Sequence, residues 1–106
     1  MDTRTIIEGR VYDTETAQCI CGLVCRHNRG DFGFHETELY RSPGGQFFIA
    51  GWGGPDSLWA RSAGQNSWSG GGGLRLVDEA EARSIMEAAG LDAADFRAAG
   101  LAVTEG

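Results

Sequence analysis

Residues 44–73 hold ten of the chain's 17 glycines and all three of its tryptophans, yet only two charges, Asp56 and Arg61, which cancel. Glycine lets backbone turn tightly or approach a neighbour closely, at a cost in conformational entropy on folding. Tryptophan brings a large amphipathic contact area with one N–H to satisfy. A nearly uncharged stretch rich in both is either an irregular core or a recognition surface. The pattern divides it. Residues 46–52, Gln-Phe-Phe-Ile-Ala-Gly-Trp, read as a central strand with Phe47, Phe48 and Ile49 in the core. Residues 53–73 are the irregular remainder, where Trp59 and Trp68 either pin the segment to the sheet or meet a partner.

The rest of the chain supplies the frame. Residues 5–12 read as a strand. Residues 13–16, Asp-Thr-Glu-Thr, are dense in side chains that hydrogen-bond locally and favour turns. Residues 18–26 read as a second strand, forming a hairpin with the first. A turn at 28–31 leads towards a third strand at 35–41, and Ser-Pro-Gly-Gly at 42–45 turns the chain into the 46–52 strand. Residues 58–62 fit a short helix or a strand, 70–73 read as a flexible glycine loop, and 73–77 as the last strand. Asp78 with Glu81 three positions on resembles a capping box. Ala82, Ile85, Met86 and Ala89 then share one helical face, and Gly90 sits where a helix-ending glycine belongs, followed by the apolar Leu91. Asp92 caps a second helix, 93–99, ended by Gly100 and anchored by Phe96 and Leu101. The expectation is an α+β fold in one domain, 1–106. Its β-rich part, 1–77, is an antiparallel sheet of about four to five strands, and one or two helices follow in an acidic C-terminal part, 78–100.

Charge is uneven along the chain. Residues 78–106 carry seven acids and two arginines, −5 of the formal net −6. Such a balance disfavours direct binding to nucleic acid, which needs phosphate neutralisation, and suits a basic protein surface, including one that normally holds nucleic acid. Acidic helices also simply keep a protein soluble. Every basic residue is arginine, so Schiff-base and P-loop lysine chemistry is excluded. No apolar run reaches eighteen residues and the N-terminus lacks signal-peptide regions, so the expected location is cytoplasmic, away from the membrane.

Cys19, Cys21, Cys25 and His27 raise a zinc reading. On one extended strand these odd-numbered positions would share a face, with Cys19 and Cys25 about 20 Å apart. Zinc–sulfur bonds of about 2.3 Å cannot span that. A site would need the strand to break near Gly22, or His35 to be recruited from a neighbour. The alternative is that the cysteines are small apolar groups in a reducing compartment. A Cys25–His27 nucleophile pair would be strained at a same-face spacing of about 7 Å. His35 with Asp31, Glu36 and Glu38 offers acid–base groups without a recognisable motif, and Arg26 or Arg41 could neutralise the two glutamates. The reading therefore assigns no catalytic residue, metal or cofactor and expects no enzyme.

Several motifs in order carry a resemblance. Tyr12-Asp-Thr-Glu-Thr-Ala17 is followed by Glu36-Thr-Glu-Leu-Tyr-Arg41, Gly45-Gln-Phe-Phe48, Gly51-Trp-Gly-Gly-Pro55 and Asn66-Ser-Trp-Ser-Gly-Gly71, ahead of an acidic helix. Over about residues 6–100 this set resembles a family of small proteins carried by phages, plasmids and integrative elements. The chain departs from that pattern in segment 19–27, so the resemblance gives those cysteines no role. It implies a mobile-element accessory protein and supplies no reaction. By analogy with small acidic proteins on such elements, the expected function is non-enzymatic binding of a host protein, inhibition of a defence system such as CRISPR being one instance. Candidate partner-binding residues are Trp52, Trp59 and Trp68, with Tyr40 and the acids Glu79, Glu81 and Glu87. The alternatives are a zinc module built on Cys19, Cys21, Cys25 and His27, or a structural or regulatory accessory protein of unknown partner, and self-association through an uncharged aromatic surface is compatible with the first reading.

Overall fold

The computed structural model describes residues 3–64 and 67–104, with the side chains of 61–69 outside the described set. The chain is α+β: antiparallel strands followed by two C-terminal helices. Its main sheet has four strands in the order β3 (Gln18–Gly22), β4 (His35–Arg41), β5 (Phe47–Gly53) and β8 (Gly71–Val77). Two hairpins stand outside it, β1 (Arg4–Ile7) with β2 (Arg10–Asp13), and β6 (Arg61–Gly64) with β7 (Ser67–Ser69). Helices α1 (Glu79–Ala88) and α2 (Ala93–Ala98) close the chain.

The expected strand at 5–12 is itself a hairpin. Glu8 (φ 50°) and Gly9 (φ 78°) form a two-residue turn between Ile7 and Arg10, the positive-φ geometry that matches strand twist. Glu8 lacks the left-handed preference of Asn or Asp, so only Gly9 marks the turn in the sequence. The expected pairing of 5–12 with 18–26 is absent: β3 pairs with β4 instead. The Asp13 turn forms as read, with its Oδ1 accepting the Glu15 N–H at 2.9 Å, but it delivers the chain to a different sheet. Strand β3 ends at Gly22 rather than continuing to Arg26.

Both faces of the sheet are covered. This explains why residues 47–50 are a continuous apolar run rather than an alternating one. On one face Leu39, Phe47, Ile49 and Val77 pack against Met86 and Phe96 of the helices. On the other, Phe48 and Tyr40 stack at 5.2 Å, and Tyr12 from the β1–β2 hairpin meets Phe48 edge-on at 5.7 Å. The glycine run at 70–73, read as a flexible loop, instead supplies the first half of β8, with Gly71, Gly72 and Gly73 paired to Gly53, Trp52 and Gly51. A Cβ at Gly51 would overlap the Glu36 carbonyl. That close approach holds the glycine there.

The helices begin and end where their capping residues place them. Asp78 Oδ1 accepts the Glu81 N–H at 2.8 Å, while the Glu81 carboxylate bonds Arg75 at 3.1 Å rather than closing the box. Asp92 and Asp95 make the full reciprocal box. The backbone N–H of Asp95 holds the Asp92 carboxyl below its usual range. At each C-terminus a left-handed glycine, Gly90 (φ 76°) or Gly100 (φ 82°), lets Leu91 or Leu101 bond back to Met86 or Phe96.

Candidate functional site

Registry decides which residues reach one another. Leu39, Ile49 and Val77 face the helices, so even-numbered Glu38, Tyr40, Phe48, Ala50 and Trp52 face the hairpin side. Trp52 lies near the far end of that face, half-buried, with Phe34 tilted against it at 5.7 Å. The Arg29 guanidinium sits 5.6 Å from the Phe34 ring and bonds Glu36 at 2.7 Å. On the β8 side Trp52 has Gly72 opposite it, with no side chain to fill the space. A shallow recess of about 710 Å³ results, with glycine backbone on its floor and Thr3 and Arg4 of the N-terminal segment on its wall.

The other candidate aromatics are placed differently. Trp59 is 9% exposed and belongs to the helix-side core. Its Nε1–H donates to Thr37 Oγ1 at 2.8 Å, because Thr37 and the side-chain-free Gly51 form one cross-strand pair on that face. Tyr40 is equally buried, stacked on Phe48. Neither ring is available to a partner, which corrects that part of the sequence reading. Trp68 lies in β7 opposite Ser62, and its side chain is outside the described residues.

The acids form a second surface, across the sheet from Trp52. On α1, Glu79 bonds Arg83 at 3.1 Å and Glu81 bonds Arg75. Glu79, Glu87 and Asp92 border a cleft of about 650 Å³ between the helices and the C-terminal segment, with Leu91, Phe96 and Val103 as its apolar lining. Arg83 also donates to the Ala102 carbonyl at 2.8 Å, tying that segment to α1. The aromatic and acidic candidates therefore do not make one contiguous site.

The cysteine segment does not behave as one strand face. A β-bulge between Cys19 and Cys21 sets Cys19 opposite Tyr40 and Cys21 opposite Leu39, on opposite sides of the sheet. Cys19 donates to Glu38 Oε2 at 3.0 Å. Burial first, then the Glu38 hydrogen bond and charge, push its thiol up to about 12. Burial and the charge of Asp95 also raise Cys21. Such thiols are held protonated and unreactive. Cys25 lies beyond the strand end, where its Sγ accepts the His35 backbone N–H at 3.5 Å. Among the described residues no hydrogen bond joins Cys25 to either imidazole, and no group of three or more His, Cys, Asp or Glu is placed to hold a metal ion.

The acid–base constellation is likewise dispersed. His35 faces the helix side, whereas Glu36 and Glu38 face the hairpin side. The partners of the two glutamates are Arg29 and Cys19, not Arg26 or Arg41. Asp31 caps its own loop by accepting the Asn28 N–H at 2.9 Å. His35 Nδ1 lies 2.8 Å from Thr37 Oγ1. Burial, then the charge of His27, lower its affinity for a proton. The neutral ring accepts the Thr37 hydroxyl proton at Nδ1, and Thr37 in turn accepts from Trp59.

Thr3 and Arg4 share the recess with Trp52, and Phe34, with Arg29 near its ring, packs against it; the sequence reading assigns none of them a role. Arg29 lies in the turn at 28–31 and Phe34 follows it at short range, which is a usable signal. Thr3 and Arg4 are brought in by the β1–β2 hairpin, and nothing local announces them. Compared with known proteins, the chain matches no family model, no curated protein and no solved structure. No described helix is long and apolar enough to cross a membrane.

Proposed function

We propose that this chain is a non-enzymatic interaction protein of the mobile-element kind its motifs resemble, binding a basic surface of a host protein through its helical face. The specific role we assign is inhibition of a host defence complex such as a CRISPR effector. The observation that carries the reading is the helical cleft, where Glu87, Asp92 and the Glu79–Arg83 pair border an apolar lining of Leu91, Phe96 and Val103. Such a cleft fits a basic segment with an apolar anchor, and the −5 charge of residues 78–106 steers a basic partner towards it.

The test is retention of a defence complex from lysate, with interference measured in cells expressing the protein. Wild type is expected to retain the complex and suppress interference. An E79Q/E87K variant of unchanged melting temperature should retain at least tenfold less, and retention should weaken with salt. Wild-type protein that retains nothing and leaves interference intact overturns the reading, as does retention indifferent to E79Q/E87K.

A further inference from the structure

The recess beside Trp52 lies on the other side of the sheet from the acidic cleft, and the partner reading leaves it unused. Three of its features bear on ligand chemistry. The first is an aromatic wall: Trp52 is half-buried and packs against Phe34, with ring centroids 5.7 Å apart. The second is a floor without side chains, because Gly72 stands opposite Trp52 in the sheet and glycines run from 70 to 73. A flat group can therefore lie against the indole while resting close to backbone. The third is Arg4 on the wall, an exposed basic residue next to the hydroxyl-bearing Thr3; Asp13 stands opposite it in the hairpin register, and among the described residues no ion pair joins the two. Glu36, the acid paired with Trp52 in register, is already neutralised by Arg29 at 2.7 Å. The excess acids of the chain lie with the helices, across the sheet.

A ligand that satisfies all three is planar, aromatic and anionic. An uncharged ring would leave Arg4 unused, and a bare anion would leave Trp52 unused. We infer that the recess binds a single nucleoside monophosphate, its base stacked on Trp52 over the glycine floor and its phosphate on Arg4. At about 710 Å³ the recess falls within the range of small-ligand sites. Purines outrank pyrimidines because their larger rings overlap more of the indole.

The experiment is a calorimetric titration with AMP, CMP, adenosine and inorganic phosphate, together with amide NMR spectra in which the glycine signals are followed. AMP is expected to bind saturably, at least tenfold more tightly than adenosine or phosphate and more tightly than CMP, with amide shifts at Gly70, Gly71, Gly72 and Gly73. Trp52→Leu should abolish binding. Arg4→Gln, at an exposed strand position that leaves the fold intact, should reduce AMP affinity to that of adenosine. Absence of saturable heat at millimolar AMP overturns the inference. So does AMP binding that survives Trp52→Leu, or AMP affinity unchanged by Arg4→Gln. These outcomes are independent of whether a host protein binds the acidic cleft.

Discussion

Thr37 is the residue on which the helix-side interior turns. Its hydroxyl serves the Trp59 indole and the His35 ring at once, 2.8 Å from each. Thr37→Val keeps the volume but strands a buried indole N–H, so urea unfolding should show a loss of about 1–3 kcal/mol, with Thr37→Ser recovering much of it. His35 gives the same network a pH dependence. Its proton affinity is lowered in the folded state, so below the ordinary imidazole value of 6.5 the unfolded chain binds more protons. Stability is therefore fully present above that pH, falls on acidification through it, and levels off once folded His35 is protonated too. Urea midpoints measured from pH 7.5 downwards should show this fall, and His35→Asn should flatten it. Cys19 makes a chemical prediction. With its thiol pushed up to about 12, iodoacetamide at pH 8 should label it slowly despite its exposure, and Glu38→Gln should speed labelling. Such pairings were not legible in the sequence. Cys19 to Glu38 and Thr37 to Trp59 depend on strand registry, and the Cys19–Cys21 bulge reverses the face that simple alternation assigns.

Elements were legible wherever a local signal set them. Strands β4 and β5, the turn between them and both helices stand close to where composition and capping residues place them. The Asp78 cap gives a direct check: Asp78→Ala removes the acceptor of the Glu81 N–H and should cost about 1 kcal/mol in unfolding free energy, with Asp78→Asn nearly neutral. Local pattern fails where an element depends on a distant neighbour. Residues 5–12 read as one strand because the Glu8–Gly9 turn is weakly marked, and the glycines of β8 read as a loop because glycine has little strand preference of its own. Gly51, Gly53 and Trp52 of β5 recruit them into the sheet.

At the scale of the whole molecule, the sheet is a partition with two covers, the helices on one face and the β1–β2 hairpin on the other. A chain ending at Val77 would leave Leu39 and Ile49 bare, both fully buried here. It should lose the cooperative thermal transition when followed by circular dichroism. The partition also separates the acidic cleft from the Trp52 recess, so the aromatic and acidic candidates fall on two surfaces. By itself the sequence determined the α+β class, the positions of the helices, the central apolar strand and the charge carried by the C-terminal part. Each of these follows from composition, periodicity or capping within a few residues. Only the tertiary structure decided that Trp59 and Tyr40 are interior, that Cys19 and Cys21 lie on opposite faces, and that Arg4 borders the same recess as Trp52. Those outcomes depend on strand pairing between distant segments, and a one-residue bulge or a hairpin folded back over the sheet changes them without altering any local pattern.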